Sequence, residues 1–168
     1  MGRAVDFRRQ TNRRLHEEHV AVIGLLARFE QALVRAREAT VLSDTSFQLL
    51  LKTLVRALDF EVGAHFDFEE RELFPRMVEV GEDDLVALLE EEHVVVREVA
   101  ATVRSLADKA LTGSLDGTEW QSLRTHGLEL CERLTSHAEK EEGALLPLLE
   151  DLLDDDADRD AFAAYAAG

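Results

Sequence analysis

Residues 65–75 read HFDFEERELFP, and residues 137–147 read HAEKEEGALLP. The shared histidine, Glu-Glu pair, leucine and proline are each displaced by 72 positions. Upstream of each stretch, residues 15–22 (LHEEHVAV) match residues 89–96 (LEEEHVVV) at a displacement of 74. The chain is therefore predicted to contain two related helical hairpins, each with one lone histidine and one His-x-x-x-Glu pair.

Helical spacing of the apolar residues runs through most of the chain and predicts an all-α protein. Long helices are expected over residues 11–39, 46–78, 84–110 and 118–153, with a short further helix over 157–165. The capping-box spacing of Thr118 and Gln121 marks the expected start of the fourth helix. Short connections between long helices favour an antiparallel up-down-up-down four-helix bundle. The expected organisation is one domain over residues 1–168, with its bundle core at about 12–153.

The charge balance restricts the partners. With 35 acidic and 19 basic residues, the net charge is −16, which disfavours nucleic acid and anionic membranes but permits a metal cation. No apolar run is long enough for a membrane span, and the single cysteine suits a reducing cytoplasm. The basic residues 1–14 and acidic residues 150–160 are expected to be solvated, the alternative being docking or an oligomer contact between these unlike ends. Monomer and homodimer both remain open.

The repeated polar residues are predicted to point into the bundle. On the second helix they continue the apolar series of Leu54, Leu58 and Val62, and on the fourth that of Leu130 and Leu134. A single inward histidine is usually a hydrogen-bonded core residue, but repetition of the whole set argues against that interpretation. The candidate metal ligands are His19, His65, Glu69, His93, His137 and Glu141.

Buried carboxylates without a partner are costly, and cations remove that cost. Nitrogen and oxygen ligands without thiolate favour iron, manganese or zinc. Four imidazoles and two carboxylates that can bridge suit two metals better than one. Such a pair would leave room for a solvent bridge and an open position, which on iron means O2, peroxide or NO chemistry.

This ordered pattern resembles the hemerythrin family, also called hemerythrin HHE cation-binding domains. The resemblance rests on His19, His65-x-x-x-Glu69, His93 and His137-x-x-x-Glu141, and on the Leu-Phe-Pro that follows the first pair. It implies a non-haem di-iron centre, two Fe²⁺/Fe³⁺ ions with a bridging oxo or hydroxo group, with zinc or manganese less favoured.

The sequence differs from the oxygen-carrying members of the family at two positions, and these differences favour another function. Those proteins have a second histidine where this chain has Arg97, and they end with His-x-x-x-x-Asp, whereas Glu141 lies four residues after His137. The more symmetrical site resembles a branch linked to iron–sulfur cluster repair, NO response, peroxide breakdown and iron sensing. Carboxylates beside the site in that branch resemble Glu61 and Glu92, although its usual N-terminal module with paired cysteines is missing from this sequence.

Three functions follow from these observations. The first is a di-iron protein that reacts with O2, peroxide or NO in oxidative or nitrosative stress, as an oxidoreductase of catalase, peroxidase or NO-reducing type if it turns over. The second is a non-enzymatic carrier or sensor of O2 or iron. The third is an interaction module with a structural metal. The sequence does not separate turnover from binding.

Two further histidines lie in the same expected helices as predicted ligands. His16 lies three residues before His19 and is a candidate additional ligand or neighbour of a ligand, although its repeat counterpart is Glu90. His126 shares a helix face with His137 but lies ~16 Å away by helix rise, so it is expected to have a structural role.

Overall fold

Helices make up most of the computed structural model, which describes residues 6–36 and 38–168 and contains no strand within them. The all-α prediction is confirmed. Helix α1 spans Gln10–Arg35, and a 3₁₀ turn follows at Ala39–Ser43. The expected continuation of α1 to Ala39 is wrong because Ala36 is already extended, while Arg37 lies outside the described residues. No helix in the described part of the chain is long and apolar enough to cross a membrane.

The other helices come close to their expected positions. Helix α2 begins with Thr45–Asp59 and continues to Val78, α3 spans Asp83–Thr112, and α4 begins with Gly117–Lys140 and continues to Leu152. The short α5 spans Asp155–Ala167. Helix α1 contacts α2 and α4, and α3 contacts the same two, so the four long helices form a bundle.

Helices α2 and α4 contain π-helical segments that the sequence pattern did not predict. In α2 they cover Phe60–His65 and Glu69–Leu73, and in α4 one covers Glu141–Leu145. The last α-helical segment of each, Phe74–Val78 and Leu146–Leu152, then begins around a proline. Single π turns are common at functional sites because the extra residue re-aims nearby side chains. Here they begin or end at three of the six predicted ligands.

The N-cap of α4 lies two residues earlier than expected. The side chain of Asp116 accepts a hydrogen bond from the Glu119 N–H at 2.8 Å, and Glu119 Oε2 accepts one from the Asp116 N–H at 3.0 Å. This is a reciprocal capping box, so the expected pair of Thr118 and Gln121 is wrong. A carboxylate at the N-cap also suits the positive end of the helix dipole.

A polar layer separates the buried apolar residues into two clusters. Along α1, His19 falls between Leu15 of one cluster and Val22 of the other. Along α3, His93 falls between residues 89 and 96 in the same way. Apolar packing above and below therefore holds the polar layer at a fixed level of the bundle and keeps bulk water away from it.

The described residues at the start of α1 contact residues near the C-terminal end of the chain. Asp158 of α5 accepts hydrogen bonds from the N–H groups of Gln10 and Thr11 at 2.8 and 3.0 Å, and Glu150 accepts one from the Arg8 N–H at 2.8 Å. These carboxylates satisfy the free N–H groups at the start of α1. The expectation of solvated ends holds for most of the charged side chains, such as Arg8 and Asp155, which stay exposed. The alternative, a contact between the unlike ends, occurs within one molecule at Glu150 and Asp158. Residues 1–5 of the basic segment lie outside the described residues.

Candidate metal centre

The six side chains predicted from the repeat converge in the polar layer. They form two groups, and in each group one ligand atom per side chain lies within 4.8 Å of all the others. The first group is His19, His65, Glu69 and Glu141, and the second is Glu69, His93, His137 and Glu141. All six side chains are buried. Because the groups share both carboxylates, the glutamates lie between two pairs of histidines.

Each shared carboxylate directs its two oxygens to histidines of different groups. The oxygen to Nε2 distances are 2.9 Å for Glu141–His137, 3.0 Å for Glu141–His19, 3.1 Å for Glu69–His65 and 3.3 Å for Glu69–His93. This is the arrangement that two bridging carboxylates need. The π turns at Glu69 and Glu141 contribute to it, because each begins at the shared glutamate itself.

The outer nitrogen of each inner histidine, Nδ1, points to a glutamate on a neighbouring helix at 2.7–2.8 Å. The pairs are His19 with Glu142, His65 with Glu18, His93 with Glu70 and His137 with Glu92. A carboxylate accepts hydrogen bonds, so Nδ1 carries a proton in each ring. In the neutral imidazole the Nε2 lone pair then faces the centre, which is the form that binds a metal.

These outer glutamates follow the internal repeat. Glu18 and Glu92 each precede a histidine of the polar layer, whereas Glu70 and Glu142 each follow one of the shared glutamates. Of the four, only Glu92 was a candidate from the sequence. The signal for the others was present, because Glu18 is the repeat counterpart of Glu92, and Glu70 is that of Glu142.

Buried polar atoms at the centre need a partner that the protein does not supply. With the ring protons on Nδ1, no described residue donates a hydrogen bond to His19 Nε2, Glu69 Oε2 or Glu141 Oε1, because the carboxylate oxygen or Nε2 atom that faces each of them at 2.9–3.3 Å is itself an acceptor. The Nε2 atoms of His93 and His137 face each other at 3.0 Å. A buried polar atom without a partner costs about 1–3 kcal/mol. Cations between these atoms remove that cost, and the nitrogen and oxygen donors suit iron, manganese or zinc.

Burial and the neighbouring charges shift the pKa values of the clustered histidines and glutamates. Burial would lower the pKa of His19, but the carboxylates of Glu141 and Glu142 raise it to about 9. Burial opposes charge on His93 as well, and Glu141 and Glu69 raise its pKa to about 9. Burial would raise the pKa of Glu141, but three surrounding histidines hold it well below its usual range. A metal that bound at this site would therefore release protons from the imidazoles.

The half of the centre that contains His93 and His137 is enclosed by aromatic rings. Phe66 stacks on His93 with ring centroids 3.7 Å apart and meets His137 edge-on at 5.2 Å. Phe74 stacks on His93 from 5.5 Å. These rings fix the imidazole orientations and exclude water from this side.

Within the described residues, the half that contains His19 and His65 meets phenyl rings only edge-on, Phe60 at 6.5 Å and Phe66 at 6.2 Å from His65, and it also has a polar neighbour. Glu61 is buried, and its Oε1 lies 4.0 Å from His65 Nε2. Burial raises the pKa of this carboxyl. Glu61 and Glu18 line a cleft of about 320 Å³ that includes residues of α1 and α2. The repeat counterpart of Glu61 is Arg133, so the two halves of the centre differ at this position.

The remaining candidates lie outside both ligand groups. His16 Nδ1 is 2.8 Å from Glu142 Oε2, so His16 contacts a neighbour of the centre. His126 bonds to the carbonyl of Ser122 within its own helix at 2.8 Å. Arg97 occupies the position at which oxygen-carrying members of the family have a histidine. It donates to Glu70 at 2.7 Å and thereby supports the Glu70–His93 contact.

The fold and the donor set together define a helical bundle with a buried histidine–glutamate cation site. The family model described as hemerythrin HHE cation binding domain matches residues 10–149, and the chain belongs to this family. The resemblance drawn from the six-residue pattern is therefore confirmed. The match ends before α5, which begins at Asp155. No curated protein matches the chain significantly.

Proposed function

We propose that this protein is a hemerythrin-like non-haem di-iron protein that binds or reacts with a small oxidant, O2, peroxide or NO, in oxidative or nitrosative stress or iron homeostasis. The observation that carries the proposal is the position of Glu69 and Glu141, each with one oxygen near a histidine of either group. Two shared carboxylates between two histidine pairs suit two metal ions, and a single ion would leave one pair without a partner.

In this proposal His19 and His65 would hold one metal, His93 and His137 would hold the other, and Glu69 and Glu141 would be ligands to both. The surrounding bundle would have an antiparallel up-down-up-down order built from two related hairpins. The contacts of α1 with α2 and of α3 with α4, across short connections, support that order. The pattern of outer glutamates, which is repeated in both halves, supports it as well.

Bound iron would supply one-electron redox chemistry, while the protein sets the geometry and the access. Phe66 and Phe74 stack on His93, whereas Phe60 and Phe66 meet His65 only edge-on, so we infer that a small oxidant approaches the His19–His65 side. Glu61 and the cleft of about 320 Å³ lie on that side. Glu61 would meet the oxidant there and orient it by hydrogen bonding.

The first experiment is metal analysis of purified protein after anaerobic loading with Fe²⁺, combined with its near-ultraviolet and visible absorption in air. We expect two metals per chain and bands of oxo-bridged iron. Glu69→Ala and Glu141→Ala should each lose two-metal binding, while His126→Ala, outside both groups, should retain it. Fewer than one metal per chain in the wild type, or no such bands, would exclude the di-iron proposal.

Turnover is a separate measurement on the loaded protein. An enzyme consumes peroxide or NO over many cycles, whereas a carrier binds O2 stoichiometrically and releases it. Glu61→Ala should slow either reaction without changing the metal content, because Glu61 lines the cleft on the proposed side of approach and lies outside both ligand groups. An unchanged rate would contradict the proposed approach from that side.

A further inference from the structure

Tyr165 connects the C-terminal helix to one histidine of the metal centre. Its hydroxyl donates a hydrogen bond to Glu18 Oε2 at 2.6 Å, and the same oxygen accepts the Nδ1–H of His65 at 2.8 Å. The ring of Tyr165 stacks on Phe68 with centroids 4.2 Å apart. A continuous path of two hydrogen bonds therefore runs from α5 to an imidazole of the polar layer.

We propose that Tyr165 is a positioning residue that sets the orientation of His65 through Glu18, and so tunes the His19–His65 half of the centre and not the other half. This inference rests on the proposed two-metal site. It assigns a task to α5, which begins after the family match ends at residue 149.

Comparison with the other outer glutamates supports a selective role. Each of them has its own outer partner: Glu70 pairs with Arg97, Glu92 with Lys140 and Glu142 with His16. Those partners come from the helices of the repeat, whereas Tyr165 comes from α5. No hydrogen bond in the described residues joins Tyr165 to the His93–His137 half, so its influence reaches one histidine pair.

The phenol is suited to a positioning task. Burial, reinforced by Glu18, raises the pKa of Tyr165 and keeps its hydroxyl a donor. Stacking on Phe68 restricts the ring, and α5 is itself anchored to α1 by Asp158. Arg14 also holds Glu18 through the other oxygen, at 2.5 Å. Loss of the phenol hydroxyl should therefore loosen the orientation of Glu18 without removing it from the site.

The test compares Tyr165→Phe with Lys140→Met in zinc-loaded protein, since zinc is redox-inert. Tyr165→Phe keeps the stacking ring and removes the hydrogen bond to Glu18, while Lys140→Met removes the outer partner of Glu92 in the other half. In each variant, release of one of the two zinc ions to a coloured chelator should become about threefold to tenfold faster. This effect is smaller than the roughly 10–100-fold loss of affinity expected when a direct hydrogen-bond partner of a ligand is removed.

Nuclear magnetic resonance of ¹⁵N-labelled histidine distinguishes a positioning role from a general effect on stability, because it reports on each imidazole separately. Tyr165→Phe should shift the ring signals of His65 and leave those of His137 unchanged, and Lys140→Met should do the reverse. Shifts in both halves, or in neither, from Tyr165→Phe would overturn the inference while two-metal binding stands. Wild-type protein that fails to bind two zinc or two iron ions would instead overturn the proposed function, and this inference with it.

Discussion

The Nε2 atoms of His93 and His137 lie 3.0 Å apart, while the Nδ1 atom of each ring points to a different glutamate. With the proton of each neutral ring held at Nδ1, the two inner nitrogens present lone pairs to each other. Facing lone pairs repel unless a proton or a cation lies between them. A proton can fill this position, since burial opposes charge on both histidines but the surrounding carboxylates raise their pKa values, and a metal ion placed there would displace that proton.

Metal loading should therefore raise thermal stability. A ligand that binds only the folded state adds about 2.7 kcal/mol at a concentration 100 times its dissociation constant. We expect the unfolding midpoint, followed by circular dichroism, to rise when Fe²⁺ is added without oxygen. His126→Ala should show the same rise. An equal rise in Glu69→Ala and Glu141→Ala would mean that the metal binds elsewhere.

The outer glutamates should control metal affinity. Glu70→Gln and Glu142→Gln keep the side-chain shape but remove the charge that orients and polarises His93 and His19. We expect each variant to weaken metal binding by about 10–100-fold, measured by competition with a chelator. Glu98→Gln is the matched control because Glu98 is exposed on α3. Affinity equal to that of the control would show that the outer carboxylates do not support the ligands.

Arg97 should stabilise the fold as well as the centre. It donates to Glu70 at 2.7 Å, to Asp67 at 3.1 Å and to the carbonyl of Val62 at 3.1 Å. Arg97→Met removes these charge-assisted bonds, and we expect a loss of about 1–3 kcal/mol in urea unfolding. Arg104→Met, which removes an exposed ion pair, should change stability little. Equal effects of the two variants would contradict the assigned role.

The contact between the chain ends should depend on pH. Burial would raise the pKa of Glu150, but hydrogen bonds from Asn12 and from the N–H groups of Arg8 and Arg9 lower it. A carboxyl with a lowered folded-state pKa stabilises the protein above its ordinary value of 4.5, and this contribution is lost as the pH falls through the folded-state pKa. Glu150→Gln should thus cost on the order of 1 kcal/mol at neutral pH and less at about pH 3. A pH-independent difference in urea unfolding would contradict this.

Two helical glycines should respond to alanine in opposite directions. A Cβ at Gly127 would lie 2.6 Å from Leu33 Cδ1 and 3.0 Å from Phe29 Cε1, whereas one at Gly24 would meet nothing within 4 Å. Gly24→Ala should stabilise α1 by up to about 1 kcal/mol through helix propensity. Gly127→Ala should destabilise by about 1–3 kcal/mol because the fully buried side chains of Leu33 and Phe29 must shift to make room. Thermal unfolding of the two variants measures both effects, and a stabilised Gly127→Ala would show that the core relaxes freely.

Much of the candidate site was accessible from the repeat. The six central side chains were identified because polar residues interrupted an apolar helical face at equivalent positions in both halves. Glu18, Glu70 and Glu142 were missed because each lies beside a central residue in the sequence, where regular helical spacing points it away from the centre. Their targets are on neighbouring helices, and spacing along one helix does not reveal which residues it meets on another.

Periodicity and repetition can be recognised from the order of the residues alone. The sequence was therefore sufficient for the all-α class, the approximate helix limits and the set of side chains that share the polar layer. Only packing between helices decided which glutamate anchors which histidine, where the π turns re-aim Glu69 and Glu141, and that α5 returns to place Tyr165 against Glu18. Those relationships join residues as far as 147 positions apart. Their geometry depends on how all the helices fill one interior, and the return of α5 adds a difference between the two halves to the one that the sequence already has at Glu61 and Arg133.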